Sequence, residues 1–599
     1  MCARTALLIA AWFGIVAGLF EALGLLLFQR LNWASWGPML HVSAPIIWIS
    51  PTVDVVLFSL LALSVVMVAQ ITPRVRTGKA IVFLLTFATI YDWANLTGRL
   101  YHSSSLLLAF GIAVVVTRWI ANRQALVLFY CRKSLPMLIV LLLALGIGIK
   151  AERHWREQQT IAALPRARQG LPNIVVVVID TLRADHLSSY GYGRSTSPAI
   201  DSLAREGVLF ENAVSTSSWS LPSHASLVTG QPVHKHGADY VKPMSAFGDN
   251  ENNFRNVPTI GEQLQQLGYR TAAFSANRTW FSHDLGFGRS FIHFEDYFHS
   301  LPDACIRTLY GREFSRIYLA RSQHSKPKRI LRWLGLDALT DSDDEGVGND
   351  GGSPGVRKRA PIVNRELLDW IGPQPHRPFF AFLNYFDVHQ PYSGPSSFNK
   401  PWIEDTAVNE YDDGIRYVDS SIAALRASLE KRGLLRNTLI VITSDHGESL
   451  GQHGLATHGA ALYWESIHVP LILWWPGHVP NGLRIADPVS NAGIPATLMN
   501  MIGGKASGVF PGPSLNILWS QPPVHTPPVL SELSARHFPA PRPGGPRVRT
   551  ADTGAMQSLV SGHWQLIKHE KYGTQLFDWA QDPQEVHDLY DPDLDPPVQ

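Results

Sequence analysis

Ile174-Val175-Val176-Val177-Val178-Ile179 is an unbroken run of six β-branched residues that stops at Asp180-Thr181. Apolar residues at every position suit a strand covered on both faces, as in the interior of a parallel sheet. Two later runs have the same form. Phe379-Phe380-Ala381-Phe382-Leu383-Asn384-Tyr385 leads into Asp387-Val388-His389, and Thr438-Leu439-Ile440-Val441-Ile442-Thr443 leads into Ser444-Asp445-His446-Gly447-Glu448. Helical patterns over 198–206, 259–267 and 409–429, with a strand-like 270–274, alternate with these runs. The alternation predicts an α/β sandwich. In an open α/β sheet, ligands bind beyond the carboxyl ends of the strands. One strand ending in Asp is ordinary. Endings in Asp180, in Asp387 with His389, and in Asp445 with His446, with His453 and His458 just beyond, predict a metal and acid–base site.

A fourth segment can meet these endings. Ser217-Ser218-Trp219-Ser220-Leu221-Pro222-Ser223-His224-Ala225-Ser226-Leu227-Val228-Thr229-Gly230 reads as a short helix. Ser220 is the expected N-cap, Pro222 fits the first turn, where its missing N–H costs nothing, and Gly230 ends the helix. A hydroxyl there faces unpaired backbone N–H groups and the positive end of the helix dipole, which favour an alkoxide or a bound phosphate or sulfate. Ser220 is therefore the candidate nucleophile. Two carboxylates, an imidazole and a serine oxygen (Asp180, Asp445, His446, Ser220) suit Zn²⁺ or Mn²⁺. Ca²⁺ prefers an all-oxygen shell.

The first 150 of the 599 residues have a different character. Residues 6–29 are apolar over a bilayer's thickness, interrupted by Glu21. Further spans are read at roughly 53–72, 80–96, 103–121 and 135–150, the span at 80–96 carrying Asp92 and Asn95. About five spans predict a polytopic anchor rather than an uncleaved signal sequence. Arg4, then Arg74, Arg76 and Lys79, then Arg123, Arg132 and Lys133 fall on alternate faces, opposite Arg30 and Arg99. The positive-inside rule then puts the N-terminus in the cytoplasm and residues 151–599 outside it. Three scattered cysteines (Cys2, Cys131, Cys305) give no disulfide framework or zinc–thiolate cluster, and a net charge of +2 gives no argument for a nucleic-acid partner. Residues 151–170 read as a charged juxtamembrane linker. Residues 341–355 read as a disordered insert, after a basic run at Lys326–Arg332 read as a solvated face. Residues 503–552 read as a Pro/Gly-rich connection, and 557–590 as a small antiparallel sheet.

Residues 171–480 and the tail near 558–591 resemble the sulfatases of the alkaline phosphatase superfamily. The resemblance rests on Pro172-Asn173-Ile174 through Asp180-Thr181-Leu182-Arg183-Ala184-Asp185, Ser220-Leu221-Pro222-Ser223, and Leu227-Val228-Thr229-Gly230. It continues with Asp387-Val388-His389-Gln390-Pro391-Tyr392, Ser444-Asp445-His446-Gly447-Glu448, Val469-Pro470-Leu471-Ile472, Phe577-Asp578-Trp579 and Asp582-Pro583. It implies that Asp180, Asp445 and His446 hold a divalent metal and that Ser220 is the nucleophile. It further implies that His389 and His458 contact substrate or protonate the leaving group, with Arg183 as an anion-binding side chain. Sulfatases proper carry Cys or Ser followed by x-Pro-x-Arg and oxidise the first side chain to formylglycine. Here the arginine position is His224, the usual second metal-binding aspartate is Thr181, and the expected lysine is absent, with His458 in about its place. Asp445-His446-Gly447-Glu448 followed by Leu455-Ala456-Thr457-His458-Gly459 also resembles membrane-anchored phosphoethanolamine and phosphoglycerol transferases, which use an unmodified hydroxyl.

The expected organisation is a transmembrane region over 1–150, a linker over 151–170, a sulfatase-like catalytic domain over 171–502, and a connection with C-terminal subdomain over 503–599. The expected activity is metal-dependent hydrolysis of sulfate or phosphate esters through Ser220, in a multi-pass inner-membrane protein whose catalytic domain is periplasmic. The expected partners are the lipid bilayer and an anionic ester on an envelope glycan or lipid headgroup. A headgroup transferase and an inactive domain that binds anionic glycans are the alternatives.

Overall fold

A computed structural model describes residues 3–31, 42, 44–72, 77–96, 100–239, 256–277, 280–296, 308–311, 358–372, 377–390, 392, 398, 401–402, 406–504, 508–520, 526–535 and 550–590. The readings of 341–355 and of Lys326–Arg332, and the positions of Cys2 and Cys305, lie outside them. The chain divides into two compact units, Met1–Gln159 with Phe298–Val356, and Thr160–Tyr297 with Arg357–Gln599.

The first unit is helical: Ala3–Leu31, Ile46–Ile71, Thr77–Asn95, His102–Ala121 and Gln124–Ala163, whose last turn falls in the second unit. Four of these five, all but Thr77–Asn95, are long and apolar enough to cross a membrane. The final helix runs on through most of the stretch read as a linker. Gly14 and Gly18 let the first two helices touch backbone to backbone, since a Cβ at Gly18 would lie 2.4 Å from the Pro51 backbone. Glu21 is buried in this unit, where its carboxylate accepts from the Ser50 hydroxyl and from the Leu309 N–H at 2.6 Å.

The second unit is built on a mixed sheet. Its strands are β1 (Asn173–Ile179), β2 (Val208–Val214), β3 (Arg270–Ser275), β4 (His293–Glu295), β5 (Phe379–Tyr385), β6 (Thr438–Thr443), β7 (His468–Trp474), β8 (Leu483–Ile485) and β9 (Val489–Ser490). They run in the order β4-β3-β5-β1-β6-β7-β2-β8, with β9 also paired to β2. β1 lies between β5 and β6 and is parallel to both, with Ile179 opposite Tyr385 and Val178 opposite Thr443. Every residue of β1, β5 and β6 is buried, as uninterrupted apolar runs require. One face is covered by the helix Ala407–Lys431, which lays Ile415, Val418, Ile422 and Leu425 into the same core as Val175 and Val177. A second, antiparallel sheet contains β10 (Val529–Leu533), β11 (Met556–Ser561), β12 (Trp564–His569) and β13 (Gly573–Asp578) in chain order. Its strands β11 and β12 alternate buried and exposed residues, the mark of a sheet with one wet face. β10 comes from the Pro/Gly-rich stretch, which is therefore not a connection throughout.

Candidate active site

Because β1 and β6 are parallel neighbours, Asp180 and Asp445 emerge side by side at their carboxyl ends. The Ser444 hydroxyl ties the two ends together, accepting the Leu182 N–H at 2.9 Å and donating to the Ile179 carbonyl at 2.6 Å. Each carboxylate has one oxygen held by the protein. Asp445 Oδ1 accepts the N–H groups of Thr181 (3.2 Å) and His446 (2.9 Å), and Asp180 Oδ2 accepts Asn277 Nδ2 at 2.9 Å. The other two oxygens, Asp180 Oδ1 and Asp445 Oδ2, are buried and take no hydrogen bond. They lie 4.0 and 3.3 Å from His446 Nε2.

His446 is fixed by its own backbone. Its Nδ1 lies 2.8 Å from the Gly447 carbonyl, which can only accept, so Nδ1 carries the proton and Nε2 presents a lone pair. The Ser220 hydroxyl donates to that lone pair at 3.2 Å. Ser220 is the first residue of the helix Ser220–Thr229, not its N-cap; Trp219 holds the extended cap position, and Gly230 closes the helix at φ +63. The shift by one residue follows from the tertiary partner. The Ser220 oxygen is directed to His446 instead of back onto its own helix.

His224, one turn later, is buried and neutral. Its Nδ1 donates to the Ser220 carbonyl at 2.8 Å and its Nε2 accepts from Asn384 Nδ2 at 3.2 Å, while burial pushes its pKa down. Thr181 has φ +60, a conformation rare for a β-branched residue. Its hydroxyl is taken by the Asp180 carbonyl at 2.7 Å and its carbonyl by the Tyr411 hydroxyl at 2.6 Å.

His458 arrives from the loop after β6, its ring 4.6 Å from that of His446 and 4.9 Å from that of His389. Its Nδ1 faces both oxygens of Glu448, at 3.1 and 3.2 Å. His389 stacks on Phe386 at 4.2 Å and bonds the Gln390 carbonyl through Nδ1 at 2.8 Å. Arg183 is close by, but its guanidinium is engaged: Nε and Nη2 bond Asp185 at 2.9 and 2.7 Å, and Nη1 bonds the Glu448 carbonyl at 3.0 Å. Two residues read as part of the constellation point elsewhere. Asp387 accepts the Ala360 N–H at 2.8 Å and so caps the helix Ala360–Ile371, and His453 lies against Glu465.

The donor set fits a divalent cation. Asp180, Asp445 and His446 each offer an atom, all within 4.8 Å of one another. Burial pushes the Asp180 carboxyl well above the ordinary carboxylate range, and the Asp445 charge beside it adds to this. Burial raises Asp445 too, with the Thr181 and His446 N–H groups opposing. Two buried carboxylates with an oxygen each left unbonded are what a cation would satisfy. Glu448, Asn277 and Asn384 were not singled out from the sequence. Asn277 is a polar residue just past the strand-like 270–274, Asn384 interrupts the apolar 379–385 run, and Glu448 follows His446-Gly447.

The sulfatase family model matches residues 172–504, more than half of the chain. Arylsulfatase D of Homo sapiens is 25% identical over 439 residues, covering 62% of this chain and 70% of the relative. The uncharacterized sulfatase YidJ of Escherichia coli (strain K12) is 24% identical over 465 residues, covering 70% of this chain and 83% of the relative. Among solved structures, a candidate sulfatase from Bacteroides thetaiotaomicron covers 70% of this chain and 88% of its own, at 18% identity and a TM-score of 0.50.

Proposed function

The chain belongs to the sulfatase family and is a sulfate or phosphate ester hydrolase; from that premise we propose a membrane-anchored enzyme that attacks its ester with the Ser220 hydroxyl. The observation that carries this reading is the Ser220 Oγ to His446 Nε2 contact of 3.2 Å, beside two unbonded buried carboxylate oxygens. Asp180, Asp445 and His446 would hold the cation, Zn²⁺ or Mn²⁺ by donor type; the His446 Nε2 lone pair that accepts the Ser220 hydroxyl in the metal-free site would then go to the cation, with the Ser220 oxygen beside it. When bound it supplies positive charge that favours the serine alkoxide and polarises the ester oxygens. The first turn of the helix Ser220–Thr229 directs its dipole at the anion. Ser220 Oγ gives up its proton to solvent and forms a bond to sulfur or phosphorus as the bond to the leaving alcohol oxygen breaks. His458, oriented by Glu448, delivers a proton to that oxygen, and His389 lines the same side. Arg183 acts as a positioning residue, holding the Glu448 carbonyl. Water then attacks the same sulfur or phosphorus, the bond to Ser220 Oγ breaks, the sulfate or phosphate leaves, and a proton from that water restores the serine hydroxyl.

Membrane anchoring is supported by the four long apolar helices, and the basic-residue pattern supports a catalytic domain outside the cytoplasm, facing envelope glycans or lipid headgroups. One observation favours a second reading, a headgroup transferase. His224 stands where sulfatases carry the arginine of the oxidation motif, and here it is a buried neutral ring bonded to Ser220. An unmodified serine lacks the second hydroxyl through which a formylglycine hydrate releases sulfate. Its ester must go to water or to an acceptor alcohol. Assay of the full-length protein against aryl sulfate, phosphomonoester and phosphodiester, with and without an acceptor alcohol, tests both readings. Turnover of at least one ester, lost in Ser220→Ala, is expected. Full turnover by Ser220→Ala would remove both.

A further inference from the structure

His453, Glu465 and Glu585 form a second cluster that shares no residue with the first. Each offers an atom, and these atoms all lie within 4.8 Å of one another. They come from three places: His453 from the loop after β6 that also carries Glu448 and His458, Glu465 from the short helix Trp464–Ile467 ahead of β7, and Glu585 from the segment after β13.

The cluster repeats the arrangement of the first. Glu585 is 3% exposed; its Oε2 accepts the Trp464 N–H at 2.8 Å, and its Oε1 takes no hydrogen bond. Glu465 is 5% exposed, and its Oε1 accepts the Ser449 hydroxyl at 3.1 Å. His453 Nε2 is buried and takes no hydrogen bond. It lies 3.7 Å from Glu465 Oε2, too long for a hydrogen bond. Two ligands sharing an ion at ~2.0–2.2 Å from each sit at about that separation. The His453 ring is held by stacking on Tyr463 at 3.7 Å and 8°.

The backbone is bent to make this meeting. Thr181, His453 and Glu585 are the non-glycine residues with positive φ among the described residues, at +60, +53 and +49. The first lies beside the nucleophile site, and the other two are both in this cluster. Such conformations cost on the order of 1–3 kcal/mol each and persist where the surroundings over-determine them. Two buried carboxylates are also costly unless a cation compensates them.

We propose that His453, Glu465 and Glu585 bind a second divalent cation, and that this ion clips the C-terminal segment to the loop that positions Glu448 and His458. One imidazole and two carboxylates suit Zn²⁺. His453, 15% exposed on its side chain, leaves a way in for the ion and for a water ligand.

The test uses full-length protein in detergent, stripped with a chelator, reloaded with Zn²⁺ and analysed for zinc per chain. Glu585→Gln keeps an acceptor for the Trp464 N–H, so it removes the charge without removing the cap; His453→Ala is the second variant. Both are expected to hold about one ion fewer than the wild type, a count that follows from one ion per three-residue site. Asp445→Asn removes the other site and makes the two readings separable. In that background Zn²⁺ should still raise Tm, and the rise should vanish in Asp445→Asn/Glu585→Gln. A wild-type zinc count in both Glu585→Gln and His453→Ala, or no Zn²⁺-dependent Tm rise in Asp445→Asn, overturns the proposal. The Glu465–Glu585 pair would then be sharing a proton.

Discussion

The proton on His446 Nδ1 distinguishes Ser220 from Ser223 and Ser226 on the same helix. With that proton committed to Gly447, Nε2 can receive the Ser220 hydroxyl, whereas Ser223 bonds the Ser217 carbonyl and Ser226 bonds His236. His458 depends in the same way on Glu448. Glu448→Gln is expected to lower kcat by roughly 10–100-fold with KM little changed, a loss typical of removing an orienting carboxylate. An unchanged kcat would take Glu448 out of the account. The carboxyls of Asp180 and Asp445 bring a pH dependence. Both are raised in the folded protein, so the stability they contribute is fully present below their unfolded value of ~3.9 and lost as pH rises through the folded values. Metal-stripped protein should therefore lose Tm as pH rises above the unfolded value of ~3.9, and loading with Zn²⁺ or Mn²⁺ should cancel the loss by displacing the protons. Asp180→Asn should flatten the trend. A stripped wild type as flat as Asp180→Asn would contradict the assignment.

At the scale of elements, the parallel order β5-β1-β6 converts three distant runs into one site. Those runs are legible because buried parallel strands have no polar residues to blur them. Which ending enters the site is not legible, because it depends on where neighbouring helices need caps. Asp387 shows this: it reads as a site acid and caps the helix Ala360–Ile371. Asp387→Ala should cost about 1–2 kcal/mol of stability, as a lost cap does, while the remaining folded enzyme keeps its kcat. Urea unfolding and kinetics on the same sample check this, and a normal Cm with a collapsed kcat would reverse it. Ser220 was placed one residue off for a similar reason, since cap chemistry is local and its actual partner, His446, is 226 positions away. The roles of Glu448 and Asn277 are not legible because they exist only once β3, β5, β1 and β6 lie side by side. β10 was hidden by the prolines and glycines around it.

At the scale of the molecule, the chain joins a set of long apolar helices to a sulfatase-family domain. The long helices are legible from hydropathy, although only four of the five have the length and composition of a membrane span. The proposed orientation has a direct check. A reporter active only outside the cytoplasm should be active when fused after Gln599 and silent after Lys133; the opposite pattern would place the catalytic domain in the cytoplasm. The central claim is that an unmodified Ser220 forms the covalent intermediate. Its most direct test is mass spectrometry of the Ser220 peptide from protein made in the native host and acid-quenched during turnover. The account predicts intact serine before substrate, and a gain of one sulfuryl or phosphoryl group on Ser220 after it. Formylglycine at position 220, or an adduct on any other residue, would contradict it.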